Sequence, residues 1–453
     1  MKQIKNFLVI GILVILATSC KSFLDEKPDQ KLTVPTTLED LQSLLDYYLR
    51  VGTYEPSVVE VVADDYYLED KSWSGLPLET DRRLYIWEDS NVFPPNNNNW
   101  SYCYNTIYTA NLVLEKIDDV KVISETDRKN KDNIKGQALA IRGRMFMKLA
   151  FIWSPIYSPE NNKLQLGIPL KLNTDFNEKL TRSSVEESYN QAKKDLLAAL
   201  PLLNDVQVHQ LRTSKAAAYG LLSRLCLVMG EYENSLLFAD SCLRINSELM
   251  DYNDLKASKT FPFDAYNKEV ILGTQMLTPS MLAYTNAIVD SDLYNSYEEG
   301  DLRKSLYFKI SSDKKPRYYG SYTGSYQLFD GIATDEMILN KVESSVRLGR
   351  VSEAMGDLND FLIKRWEKEE FIPYQILPPA EALKLVLNER RKTLLMRGLR
   401  WTDLKRLNRD GANILVTRTI NAKTFYLRPN DLKYALPIPE EVIESSGIIQ
   451  NPR

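Results

Sequence analysis

"GEYENSLLFADSCL", residues 230–243, and "GRVSEAMGDLNDFL", residues 349–362, are two versions of one pattern. Each opens on Gly, places a hydrophobe two residues on (Tyr232, Val351) and a small residue three further (Ser235, Ala354), and then continues an apolar stripe. Gly suits the point where one helix ends and the chain reverses, because the closing residue commonly adopts a left-handed conformation. Such a helical hairpin buries its apolar face only by stacking on a neighbour. The pattern therefore predicts one continuous helical superstructure and not a set of separate domains.

The two stretches resemble the turn and second helix of tetratricopeptide repeats. Working outward, in "NWSYCYNTIYTANLVLEKID" the residues Trp100, Tyr104, Ile107, Tyr108, Asn111, Leu112 and Ile117 fall on one helical face, which makes Trp100 a core residue. Similar segments run over 37–50, 128–153, 183–201, 213–229, 232–246, 333–348, 351–368 and 379–397, and very little alternates as a strand would. The expected fold is all-α, a tetratricopeptide-like superhelix. Its helical repeats are placed at 37–50, 98–153, 183–246 and 333–410.

Residues 51–98 and 250–330 break the pattern. Both are rich in Tyr, Trp, Gly, Pro and Asn without a sustained period, as in "KPRYYGSYTGSYQLFDG". Insertions this long in a compact helical protein are usually functional or disordered, and the aromatic content argues for order.

The chain opens on a positive stretch with Lys2 and Lys5, a ten-residue apolar run from Phe7 to Leu16, then Ala17, Thr18, Ser19 and Cys20. That order is a signal peptide, residues 1–19, since a membrane span needs roughly 20 apolar residues. The small residues before Cys20 resemble a lipobox, with Ala17 where Leu is commonest, so Cys20 is the expected lipidation site and 20–453 the mature domain. Losing Lys2 and Lys5 leaves 55 basic against 61 acidic residues, with no basic excess of the kind nucleic acid requires. Beyond Cys20 only Cys103, Cys226 and Cys242 remain, too few and too irregular for a disulfide scaffold; Cys226 and Cys242 could pair if their helices packed face to face, but a buried small hydrophobe is the more frequent role for a lone Cys on a helix. The one histidine, His209, lies in a polar stretch and reads as surface. No GxSxG, HExxH or P-loop accompanies it, so no catalytic residue, cofactor or metal is assigned.

A series of strings, taken in order, resembles the SusD/RagB family of Bacteroidetes nutrient-uptake lipoproteins over nearly the whole chain. They are "FLDEKPD" (23–29), Trp100 to Ile117, "ALAIRGRMFMKLA" (138–150), "RSSVEESYNQAKKDLLAAL" (182–200), "SKAAAYGLLSRLCLVMGEY" (214–232), "NERRKTLLMRGLRWTDLKRL" (388–407) and "LPIPEEVIESSGIIQNP" (436–452). Thr393 and Arg397 stand where family members usually carry acids. Glu389, Arg390, Arg400, Asp403 and Arg406 read as an ion-paired scaffold. The resemblance implies a lipoprotein anchored in the outer membrane and facing outward. It would capture an oligosaccharide or glycan, sometimes a peptide, for a SusC-like TonB-dependent transporter, and it would be no enzyme.

A sugar binder needs flat aromatic faces with polar groups beside them. Tyr284, Tyr294, Tyr297, Tyr307, Tyr318, Tyr319, Tyr322 and Tyr326 crowd the second insertion, and Tyr66, Tyr67, Trp73, Tyr85 and Trp87 lie in the first. The resemblance places the ligand surface on loops of these two regions. The candidate ligand residues are Trp73, Tyr318, Tyr319 and Tyr322, which have Gly and Ser neighbours, together with Tyr67 and Trp87; Asp65 and Arg317 are the candidate hydrogen-bonding partners. Asp64, Asp65, Glu69 and Asp70 lack the order and the Gly of a calcium loop and read as solvated surface. Rival functions are a repeat-based adaptor for protein partners, or a hydrolase whose carboxylate pair forms only on folding. Replacing Cys20 with Ala should release the protein from membranes, as membrane fractionation would show, and leave ligand affinity unchanged.

Overall fold

The computed structural model describes residues 35–453; the signal peptide and Cys20 lie outside the described residues. Ten helices of eight residues or more form its frame: α1 Leu38–Leu45, α2 Asn99–Lys116, α3 Glu125–Trp153, α4 Val185–Ala199, α5 Lys215–Met229, α6 Tyr232–Ile245, α7 Thr334–Arg347, α8 Val351–Leu362, α9 Pro379–Thr393 and α10 Arg400–Arg409. Local chemistry sets their starts. Thr37, Asn98 and Ser184 each accept from the backbone N–H three residues on, in capping boxes completed by Asp40, Ser101 and Glu187.

From α2 to α8 each helix packs on the next in chain order, including α6 on α7, between which the second insertion leaves the stack and returns. The all-α repeat architecture expected from 230–243 and 349–362 is the observed one. Gly230 closes α5 at φ +80° and Gly349 precedes α8 at φ +78°. Ser235 and Ala354 are fully buried, and Ser223 donates to the carbonyl of Ser235 across the α5–α6 contact at 3.0 Å. Three helices stop short of their expected ends, α1 at Leu45, α8 at Leu362 and α9 at Thr393. Trp100 is core, its ring edge-on to Trp153 at 5.2 Å. Cys103, Cys226 and Cys242 are buried free thiols, so the two helix cysteines do not pair, and His209 is exposed.

The second insertion is tied off by a stem of two short antiparallel ladders, Val270–Leu272 with Ile332–Ala333 and Gln275–Met276 with Leu328–Phe329. Tyr66–Tyr67 pairs with Ile288–Val289 and joins the first insertion to the second. A hairpin missed in the sequence, Val416–Ile420 with Lys423–Leu427, turns through Asn421 and Ala422, both at positive φ.

Buried ion pairs lace this frame. Arg390 and Arg406 hold Asp403 at 2.9 and 2.8 Å, Arg406 also reaches Glu343 on α7, and Arg303 and Lys392 hold Glu389. Arg400 grips Asp64 through two bonds of 2.6 and 2.9 Å. The scaffold role read for Glu389, Arg390, Arg400, Asp403 and Arg406 is what these contacts describe. At the two departures, Thr393 accepts from Arg303 and Arg397 pairs with Asp335.

Glu60 is buried without a cationic partner among the described residues. One of its carboxylate oxygens accepts from the Gly398 N–H at 2.9 Å, the other is buried without a partner, and burial, followed by the charge of Asp65, pushes its pKa well up. The native state therefore keeps a proton that the unfolded chain loses near pH ~4.3, so this residue's contribution to stability falls as pH rises above that point. Thermal melts of Glu60→Gln should show a gain over the wild type that grows between pH 5 and 8.

Candidate ligand-binding site

Two glycines shape the loop that presents the tyrosines. Gly320 lies against the Tyr307 ring, where a Cβ would come within 2.7 Å of Cδ1, and Gly324 turns at φ +64° against the Ala265 backbone. Between them and beyond, Ser321 and Thr323 donate to the Gln327 carbonyl at 2.6 and 2.7 Å, and the Gln327 side chain accepts from the Thr278 N–H at 3.1 Å. Asn286 donates to the Ser280 carbonyl and pins the neighbouring turn that carries Tyr284. These bonds make a rigid frame, on which exposed rings lose little entropy when a ligand lands.

On that frame Tyr284 and Tyr326 stack in parallel, with centroids 4.4 Å apart and planes 15° apart, and remain 37% and 48% exposed. Tyr319 stands at an angle to both, at 5.5 and 6.2 Å, and Phe261 closes the group edge-on to Tyr326 at 4.6 Å. Tyr284, Tyr318, Tyr319 and Tyr326 line one depression with buried Leu328 and Met396 and with Ser321 and Ser325. This is an aromatic corner with hydroxyls beside it.

The remaining candidates divide. Trp73 is half-buried on a short helix, its indole N–H donating to the Arg82 carbonyl at 3.1 Å, and Tyr67 is half-buried opposite Ile288. Four expectations are corrected. Trp87 is 2% exposed and donates to the Val62 carbonyl, because its ring and that of Tyr85 sandwich the guanidinium of Arg418 from the unforeseen hairpin. Tyr322 is 1% exposed, its hydroxyl 2.9 Å from Glu269 and 3.0 Å from Asp335. Asp65 is buried against Arg391 at 3.2 Å. Arg317 is buried as well, 2.7 Å from Asp313, and does not stand out toward solvent. Phe261 was missed, and Tyr284 and Tyr326 were noticed in the sequence only as members of a dense set.

The acidic group of the first insertion is not free surface either. Asp64 and Asp65 face Arg400 and Arg391, Glu69 meets Lys315, and Asp70 accepts from the Asn421 N–H. A second concavity of about 290 Å³ opens where α3 ends, lined by Ile156, Lys405, Arg409, Asn430, Leu432 and Tyr434. Burial pulls Lys405 down to about 7 there, and its amine donates to the carbonyls of Phe151 and Ser154. The Tyr434 ring is buried, so this cavity offers no open aromatic face.

The chain is thus a continuous helical stack that carries an aromatic corner on an inserted loop region. A family model described as SusD-like, "Starch-binding associating with outer membrane", matches residues 22–227. That match takes in a little under half of the chain, and the solved structures below share its fold. The chain is similar to a Bacteroides vulgatus protein provisionally described as sugar-binding, at 23% identity and TM-score 0.76, covering 93% of this chain and 99% of that one. A SusD superfamily protein of Bacteroides thetaiotaomicron matches at 22% identity and TM-score 0.73, covering 92% and 100%. A laminarin-binding SusD-like protein matches at 17% identity and TM-score 0.66, with the same coverage. Among curated proteins none matches. No described helix is long and apolar enough to cross a membrane.

Because Tyr322 serves the interior, Tyr322→Phe should lower stability by about 1–3 kcal/mol, the cost of leaving a buried carboxylate short of a donor. Denaturant unfolding would measure it.

Proposed function

We propose that this protein binds a glycan on the corner formed by Tyr284, Tyr319 and Tyr326 and does not transform it. The observation that carries the reading is the stack itself: Tyr284 and Tyr326 held rigid by their loops yet left open to solvent, with the half-buried Tyr319 at an angle to them. A sugar ring laid on such a face buries apolar C–H surface while its hydroxyls stay at the rim. The family description, "Starch-binding associating with outer membrane", and the laminarin-binding relative support a carbohydrate over a peptide. Trp73 and Tyr67, on the insertion zipped to this one, extend the surface for a longer chain.

The finer parts of the proposal follow from the sequence. Cleavage before Cys20 and acylation of its thiol would tether the protein to the outer membrane, facing outward, beside a SusC-like TonB-dependent transporter that receives the glycan. The adaptor reading has less support, since the description of the matching family model names starch and no protein ligand.

Titration calorimetry against neutral and acidic glycans and against peptides would test the reading. Tyr284→Ala and Tyr326→Ala should each weaken the best ligand by about 1–3 kcal/mol without lowering the melting temperature by more than a few degrees. Binding that survives both changes, or turnover of any glycan, would remove it.

A further inference from the structure

The hairpin that carries Tyr319 has a charge arrangement that its fold does not need. Strands Phe308–Ile310 and Pro316–Tyr318 pair so that Lys309 lies directly opposite Arg317. Directly opposed residues share a face of the ladder, where like charges repel. From 309 to 317 the chain reads KISSDKKPR, four cations against Asp313 alone, in a protein whose formal net charge is −4.

Most of this charge is answered locally. Asp313 meets Arg317, and Glu69 meets Lys315. Lys259 has Asp264 at 3.5 Å. Lys309 has no carboxylate within salt-bridge reach among the described residues. Its ammonium donates to the Lys259 carbonyl at 2.7 Å and stands 5.3 Å over the Tyr319 ring. An ammonium carries three donors, so this carbonyl leaves others to offer. Behind it the Arg317 side chain is only 8% exposed, and its Nη1 is buried with no acceptor. Two opposed cations, one without a counter-ion and one with an idle buried donor, thus flank the aromatic corner. A ring seated on Tyr319 comes within reach of the Lys309 ammonium, and a negative group on that ring would supply the counter-ion that Lys309 lacks.

We propose that the glycan taken by the tyrosine corner is anionic, carrying a carboxylate or a sulfate that Lys309 receives with Arg317 behind it. The proposal rests on the glycan reading above and adds the ligand's charge to it.

The test is calorimetry on the whole mature protein at low salt with three probes: laminarin oligosaccharides as the neutral arm, oligogalacturonides as the carboxylate arm, and carrageenan oligosaccharides as the sulfate arm. One charged arm should bind at least about tenfold tighter than the neutral one, and the advantage should shrink toward high salt as the pair is screened. Lys309→Gln should remove most of that advantage with an unchanged melting temperature, Lys309→Arg should retain it, and Lys314→Gln at the hairpin tip should leave it intact. Neutral oligosaccharides binding as tightly as charged ones, or a charged-arm affinity indifferent to Lys309→Gln, would overturn the anionic proposal while leaving the glycan reading standing. Failure of all three arms to bind would overturn both.

Discussion

The arrangement depends on one buried chain of charge and phenol. Arg397 holds Asp335 through two bonds of 2.8 and 2.9 Å, Tyr322 sits between Asp335 and Glu269, and Arg365 holds Glu269 at 2.9 and 3.1 Å. Arg397 also stacks on Tyr322, and Arg365 on Tyr252, each at 4.1 Å. Asp335 belongs to α7, Arg365 follows α8 and Arg397 follows α9, while Tyr252, Glu269 and Tyr322 belong to the second insertion. The network is thus the fastening between a regular helical stack and an irregular excursion. Removing one member of a buried pair leaves its partner charged and desolvated, which typically costs ~3–5 kcal/mol, so the parts hold or fail together.

What the fastening provides is position. Tyr322 is locked inside, and the rings on either side of it along the chain, Tyr319 and Tyr326, are thereby held at the surface on a loop whose own hydroxyls and carbonyls are spent on one another. The stem ladders at 270–276 and 328–333 hold the base of the excursion, and the 66–67 ladder brings the other insertion alongside. The exposed rings of Tyr284 and Tyr326 stand apart from those of Tyr252, Tyr297, Tyr307 and Tyr322, which the same insertion buries. This arrangement coincides with a match over residues 22–227 to a family model described by starch binding and the outer membrane.

The helices were legible because their signals are local. Gly230 and Gly349 mark turns that any sequence must mark, and Ser235 and Ala354 are small because a helix lies on them. The site was legible only as a region. Tyrosine has an apolar body and a polar tip, so the same residue serves a buried network, as Tyr322 does, and an open face, as Tyr326 does. The glycines beside Tyr319 and Tyr322 read as a sign of exposure, yet Gly320 is there because the Tyr307 ring comes too close for a Cβ. Trp87 went inward for a reason more than three hundred residues away, since Arg418 on the hairpin 416–427 donates to the Val61 and Ala63 carbonyls and fills the space between the aromatic rings. The hairpin was hard to see because the middle inward position of "VTRTI" is the charged Arg418 and its turn is Asn421–Ala422 in place of the more recognisable Asn-Gly.

Residue-level hydrogen exchange, with and without the tightest glycan found in the panel, would test most directly whether the ligand sits on the fastened insertion. Slowed exchange in 280–287 and 316–328, with 155–161 and 430–435 unchanged, is the result this structure predicts. Protection confined to the cavity around Lys405 or to the repeat helices, with the tyrosine loops untouched, would contradict it.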